Sequence, residues 1–250
     1  MITTIGKPMS FFKQDEFTIE TVRAHWNRVA VGYDGWNKAY DTTHFQRFIE
    51  AMKHIQLAPG MRVLDVWSRT GNASRYLFET CPEIEYTGLE PSEEMIRLGR
   101  QKYPQRNFAE GWMTALPFPS AYFDRVISLE TLEHVPVPAQ FLLEIRRVIK
   151  PGGRLVMSLP PAYAEWMTAL VDGLKVNHGE GPHRFLPSSE VKQLLSQCGF
   201  SLILHLGTVL IPVGPAFLRV NGNQWLESHV QGTFLAEMGI RQFYVCEAAG

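Results

Sequence analysis

The chain has 250 residues, 45% of them hydrophobic and 20% charged, with a formal net charge of −1. That length buries a full core as one domain or as a domain with an elaboration, and the composition excludes wholesale disorder, collagen-like repeats and coiled coil. A near-neutral balance lacks the basic excess that draws proteins onto phosphate backbones, so nucleic acid is not an expected partner.

The N-terminal stretch Met1–Phe12 lacks a basic start followed by a long apolar run, so no signal peptide is expected. Thr18 or Thr21 can cap a helix whose apolar positions Val22, Trp26, Val29 and Ala30 recur at helical spacing. A second helix is predicted over Thr43–Ile55, with Phe45, Phe48, Ile49 and Met52 on one face, ending at Pro59-Gly60. From there short apolar runs alternate with helical stretches, the pattern of a parallel sheet with crossover helices. The predicted strands are Arg62–Val66, Glu85–Leu89, Asn107–Ala109, Arg125–Leu129 and Arg154–Ser158, with helices at Ala73–Glu79, Ser92–Lys102 and Ala139–Val148. Lys150-Pro151-Gly152-Gly153 reads as a stop before the fifth strand. A helix around Ala164–Leu174, a Gly- and His-rich loop at Asn177–Pro187 and a helix opening at Ser188 or Ser189 follow. The runs Phe200–Leu206 and Gln242–Cys246 complete the sheet, and Pro212–Met238 between them supplies a helix or a lid.

These elements make an α/β protein, a doubly wound, seven-stranded, mostly parallel sheet. The expected division is a helical cap over 1–55 and a Rossmann-like domain over 56–250, with inserts at about 160–190 and 212–238. The three cysteines, Cys81, Cys198 and Cys246, form no C-x-x-C pair, which fits a reducing cytoplasm and neither a disulfide framework nor a thiolate metal site. His205, Gly207, Pro212, Gly214, Pro215 and Arg219 interrupt the most apolar stretch, Leu202–Val220, so no spanning helix is expected. The segment Pro212–Met238 is left with three readings: a cover over the site, a contact with a second copy in a homodimer, or peripheral membrane contact.

In a parallel sheet the residues just after each strand line the ligand crevice. Here they are Val63-Leu64-Asp65-Val66-Trp67-Ser68-Arg69-Thr70-Gly71 and Gly88-Leu89-Glu90-Pro91-Ser92, where Glu90 can accept both hydroxyls of a ribose. At these positions the sequence resembles the class I S-adenosylmethionine-dependent methyltransferases, particularly the small-molecule enzymes of the ubiquinone and menaquinone type. The resemblance runs from Val29 to Phe200 and rests also on Leu116-Pro117-Phe118, Phe123-Asp124-Arg125-Val126, Leu132-Glu133-His134-Val135 and Val148-Ile149-Lys150-Pro151-Gly152-Gly153. It implies S-adenosyl-L-methionine as cofactor, with Asp65, Gly71, Glu90 and Pro91 in the cofactor frame. Glu90 would hold the ribose, Met113 would lie near the adenine, Leu129 and Glu130 would face the methionine part, and Tyr33 would close over the cofactor.

Three positions depart from the family pattern. Trp67 and Arg69 stand where the family has glycines, and Trp112 where it has an acid. One explanation is functional: Trp67 or Trp112 reshapes the site by stacking on the adenine, and Arg69 meets a carboxylate of the cofactor or of another ligand bidentately. The other is that side chains have filled the pocket. Glu130-Thr131-Leu132-Glu133-His134 sets Glu130, Glu133 and His134 within about one helical turn, a spacing that could hold a divalent cation such as magnesium. Alternatively His134 is a general base, or Glu133 and His134 are scaffold residues. The loop His178-Gly179-Glu180-Gly181-Pro182-His183 could cover an acceptor, with His183 the better candidate for a direct role. Trp26, Trp36, Phe45 and Phe48 either line an apolar acceptor pocket or are core. Two functions compete: methyl transfer to a small, partly apolar acceptor, with His134, His183 or Tyr33 as base, or a degenerate fold serving as a binding subunit or using the cofactor for other chemistry.

Overall fold

The computed structural model describes residues 18–39, 41–165, 181–211, 215, 217–230 and 233–250. In chain order its elements are α1 (Ile19–Ala39), α2 (Asp41–Ile55), β1 (Arg62–Val66), α3 (Asn72–Thr80), β2 (Glu85–Glu90), α4 (Glu93–Lys102), β3 (Asn107–Glu110) and β4 (Phe123–Leu129). They continue with α5 (Pro138–Val148), β5 (Ile149–Leu159), α6 (Ser188–Gln197), β6 (Phe200–Thr208), α7 (Asn223–Val230) and β7 (Arg241–Ala248). Most of the expected helix Ala164–Leu174, and His178 and Glu180 with it, lie outside the described residues.

The seven strands form one sheet in the order β3-β2-β1-β4-β5-β7-β6. The first five pair in parallel, and β7 runs antiparallel to both β5 and β6. Strand β1 is buried from Val63 to Val66, as a central parallel strand covered on both faces must be. One core gathers residues of α1, α4, α5 and α6 against the sheet, with Trp26, Met95, Phe141 and Leu195 almost fully buried; the other gathers Phe48, Ala51 and Ile55 of α2 with Ala73 and Leu77 of α3.

Three local expectations need correction. Lys150–Gly153 does not precede β5 but lies within it. Ile149 pairs with Phe123 and Arg154 with Arg125, so the intervening residues bulge opposite Asp124. Gly153 is needed there, because a Cβ would lie 2.8 Å from the Lys150 carbonyl oxygen. On α2, Ile49 faces solvent while Arg47 and Glu50 turn inward, and on α1 Trp36 is exposed rather than core. Among the described residues no helix is long and apolar enough to cross a membrane.

Candidate functional site

The strand order reverses between β1 and β4, where a parallel sheet leaves a crevice at the carboxyl ends of its strands. After Val66 the backbone is left-handed at Trp67 (φ 62), Arg69 (φ 55) and Gly71 (φ 77). Glycine adopts that conformation freely, whereas other residues lose ~1–2 kcal/mol in it. The loop thus follows a glycine-type path while carrying an indole and a guanidinium. At Gly71 no side chain fits, since a Cβ would lie 2.6 Å from the Phe108 ring.

Glu90 closes β2 fully buried, and its two carboxylate oxygens accept the backbone N–H groups of Arg69 (2.8 Å) and Ser92 (3.0 Å). Burial pushes its carboxyl up to about 7 against the pull of the Arg69 guanidinium and the two amides. Asp65 on β1 accepts the Tyr86 hydroxyl at 3.0 Å. Its carboxyl too is pushed up to about 7 by burial, opposed by Tyr86, Arg47 and Arg69.

The Arg69 guanidinium, expected from the sequence to meet a carboxylate of the cofactor or of another ligand, packs on aromatic rings. Its central carbon sits over both indoles, 3.5 Å from the ring centroid of Trp26 and 3.9 Å from that of Trp67. The two indoles meet edge to face at 5.8 Å, and His134 packs on both, at 5.5 Å from Trp26 and 5.0 Å from Trp67. Trp26 belongs to α1, which is pinned across the loop at two further points. Asn27 Oδ1 accepts the Ser92 hydroxyl (2.6 Å), and the Asp34 carboxylate accepts Thr70 Oγ1 (2.8 Å), Asn72 Nδ2 (3.0 Å) and Lys102 Nζ (2.8 Å). Burial raises the Asp34 carboxyl, but these donors outweigh it and hold it below the usual value.

At the end of β4, Glu130 is also left-handed (φ 55) and sits between two buried guanidiniums. It accepts Arg47 Nη1 at 2.6 Å and pairs with Arg241 Nε. Burial would raise its carboxyl, yet Arg241 and Arg47 hold it far below the carboxylate range. Arg47 also donates to the Tyr33 hydroxyl (3.3 Å), and Arg241 to Gln46 Oε1 (2.9 Å). Neither arginine was singled out in the sequence. A lone cation one turn before Ala51 on an apolar helix face was a signal for Arg47; the first residue of β7 carried none for Arg241.

The expected metal cluster does not form. The Glu130 carboxylate is committed to two arginines, and His134 Nδ1 donates to the Pro182 carbonyl at 3.0 Å. Burial, followed by the nearby Arg69, drives the His134 imidazole well below its usual pKa and keeps it neutral. Glu133 is buried. Among the described residues no group of three His, Cys, Asp or Glu side chains could hold an ion. His183 is buried behind His134, its ring 6.3 Å away and its Nδ1 donating to the Gly181 carbonyl at 2.8 Å.

Tyr33, Asp65, Trp67, Arg69, Leu129, Glu130 and His134 do converge on the crevice, and the spaces they line among the described residues are small, about 10 and 50 Å³. Such spaces take a water or two, whereas small-molecule sites span ~300 Å³ or more. With α1 docked, therefore, the residues do not fit an adenosyl cofactor, although the acid and the loop backbone that would frame one are present. Met113 is fully buried in the core. Pro91 and Trp112 line, with Arg23, Glu110 and Gly111, an open hollow of about 290 Å³. A space of about 340 Å³ lies outside the crevice, between α2 and the β6–β7 connection.

Residues 64–157 match a family model described as a methyltransferase domain. The demethylmenaquinone methyltransferase of Lysinibacillus sphaericus is 37% identical over 131 residues, covering 49% of this chain and 56% of that protein. The phthiotriol/phenolphthiotriol dimycocerosates methyltransferase 1 of Mycobacterium ulcerans is 31% identical over 182 residues, covering 70% of this chain and 64% of that protein. The chain thus spans less than two thirds of either relative. Among solved structures, a Thermotoga maritima S-adenosylmethionine-dependent methyltransferase aligns with TM-score 0.67 and 18% identity, covering 92% of this chain and 100% of that one. At that identity the likeness is one of fold.

Proposed function

We propose that this chain is a class I S-adenosylmethionine-dependent methyltransferase that transfers a methyl group to an oxygen, nitrogen or carbon of a small, partly apolar acceptor, a reading supported by the methyltransferase-domain match and the curated relatives. The observation that carries the reading is the loop after β1. It keeps a left-handed backbone at Trp67, Arg69 and Gly71 and lays an amide on the buried Glu90, so a frame suited to an adenosyl group persists beneath altered side chains. Non-glycine residues hold that conformation only where the surroundings over-determine it, and such strain clusters at functional sites. Glu130, across the crevice, shares it.

In this reading the helices within residues 1–55 cover the site of a Rossmann-like domain over 56–250. Tyr33 and His134 line the crevice spaces and are the proposed bases; His183 supports His134 from behind. The partly apolar acceptor follows the relatives, which are named for demethylmenaquinone and for phthiotriol dimycocerosates. A cytoplasmic location fits the unpaired, buried cysteines.

The filled crevice favours a second reading, a methyltransferase fold that serves as a binding subunit. Calorimetric titration with S-adenosylmethionine separates the two. Binding near ~1 μM supports transfer. No heat at roughly millimolar ligand, from the native chain and from an Arg69→Gly variant alike, leaves only the subunit.

A further inference from the structure

The crevice has an acidic frame and little free volume, because side chains fill it. We propose that Arg69 is a built-in occupant that holds the crevice shut, so that a ligand can enter only by displacing its guanidinium and, with it, α1. The methyltransferase reading supplies only the identity of that ligand.

The closing contact joins two separate elements. Trp67 belongs to the loop after β1 and Trp26 to α1, and the guanidinium between them is within 3.9 Å of both ring centroids. All three groups are buried: Trp26 is 2% exposed, Trp67 3% and Arg69 8%. A desolvated cation on an indole face shifts an equilibrium by roughly thirtyfold, and this cation has two faces. An arginine that merely filled space would not require α1, whereas this one is roofed by it. Other pins of α1 include the Asn27–Ser92 bond, with Ser92 fully buried, and the Asp34–Lys102 pair. The Asp34–Lys102 pair is about a third exposed on each side, and so is screened by solvent. Arg69 is thus placed to set the closed population, and it does so in the volume beside Glu90 and Asp65.

The test compares the native chain with Arg69→Gly and Trp26→Phe. Arg69→Gly relieves the left-handed strain at that position, while Trp26→Phe keeps an aromatic core with a smaller face for the cation. Hydrogen exchange of the α1 amides, without ligand, is expected to rise at least about tenfold in Arg69→Gly and by less in Trp26→Phe. S-adenosylmethionine affinity by calorimetry is expected to rise at least about tenfold in Arg69→Gly. Unchanged α1 exchange in Arg69→Gly overturns the proposal whether or not the cofactor binds. Faster exchange with equal affinities in native and variant also overturns it, because the guanidinium would not then compete. Faster exchange in both variants with no cofactor binding by any form sustains Arg69 as the closing group and sinks the transferase reading instead.

Discussion

Glu130→Gln removes one charge from a cluster of three and leaves the Arg47 and Arg241 guanidiniums facing each other. Both arginine side chains are only 9% exposed, so each loses its counter-charge with little water to replace it. Breaking a buried pair by deleting one partner costs ~3–5 kcal/mol. The Glu130 side chain keeps 26% of its surface in solvent, which places the expected loss at the low end, about 3 kcal/mol. For a domain of this size that corresponds to a fall of about 6–12 °C in Tm. Urea unfolding followed by circular dichroism and by tryptophan fluorescence measures it directly, with coincident transitions as the two-state check. The native Glu130 carboxyl titrates far below its unfolded value, so its contribution is complete above about pH 4.5 and is lost as pH falls toward the folded value. The gap between native and variant therefore narrows in acid. Adding Arg241→Met to Glu130→Gln should restore part of the loss, because one of the two opposed cations is gone. A loss below ~1 kcal/mol at pH 7 would refute the reasoning, since that is the behaviour of a solvent-screened surface pair.

Asp65 titrates near 7 when folded and near its ordinary value of 3.8 when unfolded. The native state therefore binds the extra proton, and this group's contribution is fully present below about pH 4 and is lost as pH rises through about 7. Asp65→Asn should gain on the native chain by up to ~4 kcal/mol between pH 4 and 8; parallel Tm–pH curves would refute the burial argument. Gly71→Ala meets both a left-handed φ of 77 and the Phe108 ring at 2.6 Å. Strain and overpacking together should cost about 2–4 kcal/mol, with partial recovery in a Gly71→Ala, Phe108→Leu double variant. Urea midpoints of the three proteins check it, and full tolerance of the alanine would mean that Phe108 yields freely.

Legibility from sequence followed the range of the interactions involved. The parallel strands could be read because burial on both faces forces continuous apolar runs such as Val63-Leu64, and proline and glycine mark where the chain turns. The bulge at Lys150–Gly153 could not, since it depends on Asp124 lying opposite it across the sheet. Arg47 turns inward against the apolar pattern of α2 only because Glu130, far along the chain, waits at the end of β4. From sequence Trp26 read as core or as the lining of an acceptor pocket, and Arg69 as a partner for a ligand carboxylate or as one of the side chains filling the pocket. Their union is a tertiary fact that no window of sequence contains.

That union also explains why the loop tolerates its own strain. Left-handed backbone at Trp67 and Arg69 costs ~1–2 kcal/mol at each position relative to glycine, so something present only in the folded chain must offset it. The amide of Arg69 donates a buried hydrogen bond to Glu90, and each indole supplies ~1–2 kcal/mol to a desolvated guanidinium. The same contacts that stabilise the strained loop are those that exclude a ligand, so one cannot be weakened without the other. Stability and access are thereby opposed at a single residue. Arg69→Gly should lose about 0–3 kcal/mol of stability, because two lost indole contacts outweigh the strain relieved at one position, while the crevice opens. A variant that lost several kcal/mol without any gain in access would mean that Arg69 is structural filling rather than a gate.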